Sequence, residues 1–287
     1  MLGLKRGEAR LFPHEKQWET EAAKIIEKLR SMLGSAVHGI EHIGSTSIET
    51  IAAKPIIDIA AETDDFEFVE ALKTELENNG FYLRDCCHEN QILLACGSYY
   101  AGTGDKQTCF VHIVKTGSKE WNDYINFRNY LRKNPKLAKE YEALKLKLAA
   151  KSNDRNLYTE GKAQLVAHIL RKALADSFLG KTVDIVVDRP LGYIHNCGKY
   201  SIAYPVNYGY IPGVISGDKE ELDVYLLGVC EPVSEYAARV IAIIHRKNDE
   251  EDKLVAAPAE KTFSKEEIEN AVAFQERFFE TEIEMFA

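Results

Sequence analysis

The segments that decide the fold of the first half of the chain are EHIGSTS at residues 41–47 and AKPIIDI at residues 53–59. Gly44 permits a tight turn, and the hydroxyl and backbone N–H groups that follow it can bind an anion where a helix begins. Pro55 can begin a strand but not sit inside one, so the IIDIA run after it predicts a buried strand. Burying the charge of Asp58 is costly unless its carboxylate has a partner or a metal ion.

These two segments resemble the GrpB family, a branch of the nucleotidyltransferase fold, over roughly residues 10–174. The resemblance implies that Gly44 and Ser45 bind the triphosphate of a nucleotide on a loop that opens a helix. It also implies that Asp58 holds Mg²⁺, or Mn²⁺ in its place. We further expect Lys54 to bind substrate and His112, which points inward on the last strand, to act in catalysis.

Each of these residues also has a purely structural interpretation. Gly44 and Ser45 could form a capped turn, Asp58 could pair with Lys54 or a histidine, and His112 could be a core histidine. Nucleotidyl transfer with two metal ions needs a second carboxylate two positions after Asp58, where this chain has Ala60. Glu62 is the next acid on that face, so nucleotide binding without turnover stays open as an alternative.

Hydrophobic spacing predicts the remaining elements of this half. Apolar positions at intervals of three and four predict an amphipathic helix over residues 14–33, ended by Gly34. Strands are predicted over residues 37–43, 81–83, 92–96 and 108–114, and helices begin after Ser118, at Pro135 and after Thr159. This pattern predicts an α+β domain over residues 1–175, with a mixed sheet and a helical hairpin.

The charge of the 287-residue chain changes between its two halves. Residues 1–175 hold 25 Lys and Arg against 24 Asp and Glu, whereas residues 176–287 hold 11 against 21. This step favours two domains, 1–175 and 180–287, that meet near residue 175. Because neither half is basic, we expect no nucleic-acid partner, and because no apolar run is long enough, no membrane span.

The cysteines and the N-terminal residues bear on location. Six cysteines without a CxxC pair indicate buried or free thiols in a reducing compartment. The first fifteen residues are charged and lack the apolar core of a signal peptide. We therefore expect a cytoplasmic protein, which could form a homo-oligomer.

The second half is predicted to consist of short strands closed by one helix. Asp218, Glu220 and Asp223 place three carboxylates ahead of an apolar strand, a ligand type that hard divalent cations prefer. NDEEDKLV at residues 248–255 brings acids and Lys253 to the end of another strand. On spacing alone, both acidic segments could also be solvated turns. Ser264 and Glu267 predict a capping box for the terminal helix, so the half is expected to be a small β-barrel with a C-terminal helix.

The segment YPVNYGYIPG at residues 204–213, the spaced acids and the segment DKLV resemble the family I inorganic pyrophosphatases over roughly residues 180–280. The resemblance implies that Asp218, Glu220, Asp223 and Asp249 (or Glu251 in its place) bind Mg²⁺. It implies that Lys253, Tyr204 and Tyr208 contact phosphate, with catalytic roles for Asp223 and Lys253, and that Asp188 lies nearby. Only Arg189 and Lys199 partly replace the phosphate clamp of the family, so the domain resembles a shortened pyrophosphatase.

Together, the two resemblances imply a nucleotidyltransferase joined to a pyrophosphatase. Nucleoside triphosphate and pyrophosphate are the expected ligands, and hydrolysis of the released pyrophosphate would make nucleotide transfer irreversible. The alternative is a regulatory protein that binds nucleotides or phosphate and has lost both activities. The choice between these functions rests on the geometry of the two sites, because fold alone does not determine activity.

Overall fold

The computed structural model describes residues 1–84, 91–151, 155–198 and 200–286. Cys86, Cys87 and Lys199, which figure in the sequence analysis, lie outside the described residues. The chain divides into two compact units, Met1–Val166 and Ala167–Ala287. In the part of the chain that is described, no helix is long and apolar enough to cross a membrane.

The described residues of the N-terminal unit form seven strands and six α-helices, and a seventh helix runs past the boundary of the unit. The strands are β1 Leu4–Lys5, β2 Val37–Ile43, β3 Ile57–Thr63, β4 Tyr82–Leu83, β5 Gln91–Cys96, β6 Lys106–Gln107 and β7 Cys109–Lys115. The helices are α1 Gln17–Leu33, α2 Phe66–Ala71, α3 Lys73–Asn78, α4 Lys119–Lys133, α5 Pro135–Lys151, α6 Arg155–Glu160 and α7 Ala163–Asp176.

A mixed five-stranded sheet of order β2-β3-β7-β5-β4 forms the centre of this unit. Only β3 and β7 are parallel, with Asp58 beside Phe110 and Ala60 beside His112. The alternate residues of these strands, among them Ile57 and Val111, face the main hydrophobic core with α1. Asp58 and His112 therefore lie on the other face of the sheet, the face contacted by α4.

Two local expectations for this unit are wrong. Residues Ser45–Ser47 form a single 3-10 turn and no α-helix follows, because Ile48 is already extended with φ −109°. Thr159 lies inside α6 and does not cap the next helix, which begins at Ala163 after a turn at Gly161. The turn that is predicted to bind phosphate therefore has no helix macrodipole behind it.

In the C-terminal unit, the residues that the structure describes form eight strands and one further helix. The strands are β8 Thr182–Arg189, β9 Ile194–Cys197, β10 Tyr200–Ala203, β11 Asn207–Ile215, β12 Glu221–Leu226, β13 Glu235–Arg246, β14 Lys253–Ala257 and β15 Thr281–Met285. Helix α8 is Lys265–Glu276, and the predicted capping box of Ser264 and Glu267 is present.

Five of these strands close into a barrel. The order β14-β12-β11-β8-β13 is completed by direct pairing of β13 with β14, and β15 extends the sheet from β13. Gly209 is required where β11 meets β8, because a Cβ atom there would lie 1.9 Å from the carbonyl oxygen of Val186. The predicted fold class, an α+β domain followed by a small β-barrel with a C-terminal helix, is confirmed.

Candidate functional site

The turn after β2 is in direct contact with Asp58. Gly44 has φ +69°, which favours glycine, and a Cβ atom added to it would lie 2.5 Å from Oδ2 of Asp58. The predicted phosphate turn and the predicted metal ligand therefore touch, which is the arrangement that a metal-bound polyphosphate requires.

Side chains from α4 hold this turn in place. Arg132 donates from Nε and Nη2 to the carbonyl oxygen of Ser47, at 3.0 and 2.7 Å. Arg128 donates from Nη1 to the carbonyl oxygen of His42 at 2.9 Å and to the Glu41 carboxylate at 2.7 Å. Burial, with the charges of Arg132 and Arg128, lowers the pKa of His42 to about 4. A neutral His42 can then share a hydrogen bond with the Thr46 hydroxyl at 2.9 Å.

One cavity of about 180 Å³ brings three of the predicted residues of the N-terminal unit together. Ser45, Lys54 and Asp58 all line it, with Thr46 beside them. Three aromatic side chains, Phe110, Tyr141 and Tyr158, contribute apolar surface to its wall.

Two lysines that the sequence analysis did not identify also line the cavity. Lys145 belongs to α5 and Lys162 follows α6. Lys54 and Lys162 both approach the ring of Tyr158, at 4.0 and 5.5 Å from its centroid. Lys145 shares the buried face of its helix with Ala138 and Tyr141, so a lysine within an apolar helical stripe was the sequence signal that could have revealed it.

The structure does not place His112 among the described residues that line this cavity. Its Nδ1 lies 2.8 Å from Nε2 of Gln91 and 3.2 Å from the hydroxyl of Tyr124 on α4. Burial lowers the pKa of His112 to about 4, so the ring is neutral at physiological pH. These contacts are those of a packed histidine, and its catalytic role stays a prediction.

Ala60 and Glu62 lie on the same sheet face as Asp58, at the two positions where a second metal-binding carboxylate was considered. Ala60 is buried, and Glu62 accepts a hydrogen bond from the Gly117 N–H at 2.9 Å. Four residues of strand separate Glu62 from Asp58 by about 13 Å, too far to share one ion. Mg²⁺ is commonly held by one or two carboxylates together with substrate phosphates, so Asp58 against the Gly44 turn fits one such ion.

In the C-terminal unit, the buried residues Glu251 and Lys253 form a charged cluster with the half-buried Asp223. The Lys253 ammonium donates to Oδ2 of Asp223 and to Oε2 of Glu251. The same Oδ2 accepts a hydrogen bond from the Tyr208 hydroxyl at 2.6 Å. Burial raises the pKa of Glu251 to about 7, and burial together with Asp223 raises that of Tyr208. Glu251, named in the sequence analysis only as an alternative to Asp249, is thus the acid next to Asp223.

Arg189 and Tyr204 form a second contact in this unit. Arg189 donates from Nη1 to the Tyr204 hydroxyl at 2.6 Å, and its guanidinium lies 5.2 Å from the ring centroid of Tyr208. Burial raises the pKa of the neighbouring Asp188, and the negative charge of Asp223 adds to that shift. Asp188 and Arg189 lie on β8, Tyr208 on β11 and Asp223 on β12, and Tyr204 lies just before β11.

The remaining predicted metal ligands make hydrogen bonds outside this cluster, although the charge of Asp218 adds to the raised pKa of Glu251. Asp218 and Glu220 are exposed, and Oδ1 of Asp218 accepts the backbone N–H of Glu220 at 3.0 Å. Asp249 accepts a hydrogen bond from Nη1 of Arg246 at 2.8 Å. Partial burial acts to raise the pKa of Asp249, but this bond outweighs it and the pKa is lowered. Among the described residues, no three His, Cys, Asp or Glu side chains are arranged to hold a metal ion. The acids of this unit, as they stand, do not fit a metal cluster.

Arg246 is the centre of a buried network that sequence reasoning missed. Its guanidinium donates to both oxygens of Glu276 on α8, at 2.9 and 2.5 Å, and lies 3.7 Å from the ring centroid of Phe279. The Tyr225 hydroxyl donates to the same carboxylate. A basic residue at the end of an apolar strand was the only sequence signal for this network.

Comparisons with known proteins agree with the division of the chain. A family model described as GrpB protein matches residues 8–172. The chain is 36% identical over 178 residues to the glutamate-rich protein GrpB of Alkalihalophilus pseudofirmus, covering 60% of this chain and 99% of that protein. A crystal structure of GrpB from Enterococcus faecalis superposes with a TM-score of 0.54 at 30% identity, covering 58% of this chain and 99% of the other.

A second family model, described as inorganic pyrophosphatase, matches residues 183–286. The chain is 42% identical over 66 residues to the inorganic pyrophosphatase of Sulfolobus acidocaldarius. That match covers 22% of this chain and spans only 38% of the archaeal enzyme. Both predicted resemblances are therefore confirmed.

Proposed function

Since the chain belongs to the GrpB family through residues 8–172, and residues 183–286 form a domain of the inorganic pyrophosphatase family, we propose a function for each unit. The principal proposal is that the N-terminal cavity binds a nucleoside triphosphate with Mg²⁺ and transfers its nucleotidyl group to an acceptor. The observation that carries this proposal is the single cavity in which the Gly44 turn, Ser45, Asp58 and three lysines meet.

The charges of the cavity suit a polyphosphate. Lys54, Lys145 and Lys162 face two carboxylates, Asp58 and Glu8, so cations exceed acids on its wall. A triphosphate with one bound Mg²⁺ keeps a net negative charge, which is opposite in sign to that excess. The enclosed setting strengthens each charge interaction relative to the same interaction in water.

Each residue has a defined role in this proposal. Ser45 and Thr46 donate hydrogen bonds to phosphate oxygens from a turn that α4 holds in place. Asp58 holds the ion, and Mg²⁺ when bound would stabilise negative charge on the phosphates. Lys54 and Lys162 neutralise the leaving pyrophosphate, and Phe110 offers an apolar surface to the base.

Transfer of label from radiolabelled nucleoside triphosphates to a mixture of acceptors tests the principal proposal. Asp58→Asn removes the ion-binding charge and should lower transfer by at least about 100-fold. Glu62→Gln is the matched control, since it lies on the same face of β3 but is bonded to Gly117. Transfer by the wild type that survives Asp58→Asn contradicts the proposed role of Asp58. Binding of nucleotide with no transfer to any acceptor supports the alternative, a binding protein without turnover.

A second candidate function, pyrophosphate hydrolysis, is proposed for the C-terminal unit. The meeting of Asp223, Glu251, Lys253 and Tyr208 supports it. Because the acids do not form a metal cluster as they stand, we derive no hydrolytic step. Phosphate release from pyrophosphate in the presence of Mg²⁺ is the test. Release by the wild type that is lost in Asp223→Asn supports hydrolysis, and no release by the wild type contradicts it.

A further inference from the structure

Lys145 is a buried amine on the wall of the N-terminal cavity. Its side chain is 1% exposed, and its Nζ donates to the carbonyl oxygen of Ala52 at 2.7 Å. Glu142, one turn earlier on α5, accepts the N–H of the same Ala52. Helix α5 thus binds both polar groups of one residue in the connector between the Gly44 turn and β3.

The surroundings of Lys145 disfavour its positive charge. Burial is the main cause that lowers its pKa to about 7, and the charges of Lys162 and Lys54 act in the same direction. Glu142 opposes this effect, but it also bonds to Lys139 at 2.8 Å and to the Ala52 N–H. Near neutral pH, Lys145 is therefore divided between its neutral and charged forms.

A polyanion in the cavity would reverse this balance. Phosphate oxygens beside the three lysines would replace repulsion between cations by attraction, and attraction favours the protonated amine. We propose that Lys145 takes up a proton from solvent when a triphosphate enters the cavity, so that binding of the ligand is coupled to protonation of the protein. This inference rests on the proposed binding of triphosphate and adds a regulation of that site by pH.

Several other titratable groups lie around Lys145. Tyr141 lies on its own helix with the ring centroid 4.7 Å from Nζ, and the connector contributes Lys54. Asp58 from β3, Glu8, Lys162 and Tyr158 complete the charged and titratable groups around the cavity. Burial raises the pKa of Tyr158 further above its usual value, so that hydroxyl stays protonated. His112, on the same sheet face, has a pKa of about 4 and stays neutral.

The coupling predicts a pH dependence with a definite sign. Below the pKa of free Lys145 the amine is already charged and binding takes up no proton. Above the pKa of free Lys145, each binding event must add a proton to the amine. Affinity should therefore fall as pH rises, by up to about tenfold per pH unit. The fall ends where the pKa of Lys145 in the complex is reached.

Titration calorimetry of the full chain with a Mg²⁺-nucleoside triphosphate, in buffers of different ionisation enthalpy, measures this proton uptake. At pH 7 the wild type should take up about half a proton, rising toward one at pH 8. Lys145→Arg keeps a permanent charge and should bind without that uptake, with affinity that no longer falls across this range. Comparing the two proteins cancels protonation of the ligand itself. Lys147→Arg, at an exposed position on the same helix, is the matched control and should behave as the wild type.

A second variant keeps the inference testable if Lys145→Arg does not fold. After burial, the charge of Lys162 is the strongest effect that lowers the pKa of Lys145. Lys162→Met removes that charge, so more of Lys145 is already protonated at pH 7. Proton uptake on binding at pH 7 should therefore decrease. If the wild type binds triphosphate without proton uptake, or if Lys145→Arg takes up as many protons as the wild type, the coupling is overturned while triphosphate binding stands. No binding of any ligand rejects the proposed function and the coupling together. Inorganic tripolyphosphate tests whether the nucleoside part of the ligand is needed. Proton uptake on binding of tripolyphosphate, but not of a nucleoside triphosphate, would assign the site to polyphosphate rather than nucleotide.

Discussion

The two clusters of charged residues in this chain balance their charges in opposite ways. In the N-terminal cavity three lysines face Asp58 and Glu8, and burial weakens the charge of one lysine. In the C-terminal cluster one lysine, Lys253, is shared by Asp223 and Glu251, and burial weakens the charge of one acid. The first arrangement favours an added anion, whereas the second already contains its own counter-ion.

This difference shows why net charge alone is a poor guide to ligand binding. The C-terminal residues carry the large acidic excess, which suggests cation binding. Yet Lys253 contacts Asp223 and Glu251, and Arg246 contacts Asp249, so the cations in reach of these acids belong to the protein itself. A divalent ion would have to compete with those contacts or displace them.

The largest expected effect comes from removing the internal cation of the C-terminal cluster. Lys253→Met leaves the buried Glu251 and the half-buried Asp223 without their partner. It should destabilise this unit by about 3 kcal/mol, the lower end of the cost of breaking a buried pair. Chemical unfolding followed by tyrosine absorbance measures the loss. Both tryptophans, Trp18 and Trp121, belong to the N-terminal unit, so the transition seen by tryptophan fluorescence should not move.

The exposed Lys247→Met is the control for this substitution and should change stability by less than about 0.5 kcal/mol. A loss below about 1 kcal/mol for Lys253→Met would mean that water or a metal ion, not Lys253, balances these acids. The contrast between the two clusters would then disappear.

The next largest effect is expected from disturbing the contact between Asp58 and the turn at Gly44, which is predicted to bind phosphate. Gly44→Ala places a methyl group against the carboxylate at a positive φ, and should cost about 1–3 kcal/mol in the N-terminal unit. Gly102→Ala is a matched control, because Gly102 has the same φ of +69° and no atom within 4 Å of an added Cβ. Tryptophan fluorescence during unfolding measures both changes. Equal losses in the two variants would show that the turn does not press against Asp58.

A smaller effect is expected from loosening the turn without changing its residues. Arg132→Lys removes one of two hydrogen bonds to the Ser47 carbonyl oxygen. Triphosphate affinity should fall about threefold to tenfold, the equivalent of about 1 kcal/mol for one such bond. Arg30→Lys, at an exposed position on α1, should leave affinity unchanged. If the two variants bind equally well, α4 does not position the phosphate turn.

The smallest effect is expected at the exposed acids of the C-terminal unit. Asp218→Asn should change stability by less than about 0.5 kcal/mol, with or without Mg²⁺, because the side chain of Asp218 is exposed to solvent. Thermal unfolding at two Mg²⁺ concentrations measures this difference. Stabilisation of the wild type by Mg²⁺ that Asp218→Asn removes would show that the acids predicted from sequence do assemble on an ion.

Much of the fold could be predicted because local signals and packing agree. Spacing of apolar residues predicts α1, and it predicts β2 and the strand that carries Asp58. The capping box of α8 was equally visible from Ser264 and Glu267. The single 3-10 turn after Gly44 was not, because the same glycine and hydroxyl residues also begin α-helices.

The candidate sites could be predicted only where a motif concentrates their residues. Ser45, Lys54 and Asp58 lie within fifteen residues and meet in one cavity. Lys145 and Lys162 reach that cavity from residues after Pro135, and no local pattern links them to Asp58. In the C-terminal unit, spacing grouped Asp249 with Lys253, but the side chain of Asp249 pairs with Arg246 while Glu251 meets Lys253. Which acid of a charged turn enters a cluster depends on tertiary packing.

Calorimetric binding of Mg²⁺-nucleoside triphosphates to the full chain tests the central claim most directly, with wild type, Asp58→Asn and Asp223→Asn compared under the same conditions. The account predicts Mg²⁺-dependent binding that Asp58→Asn abolishes and Asp223→Asn leaves unchanged. Absence of binding to the wild type, or loss of binding in Asp223→Asn alone, would contradict it.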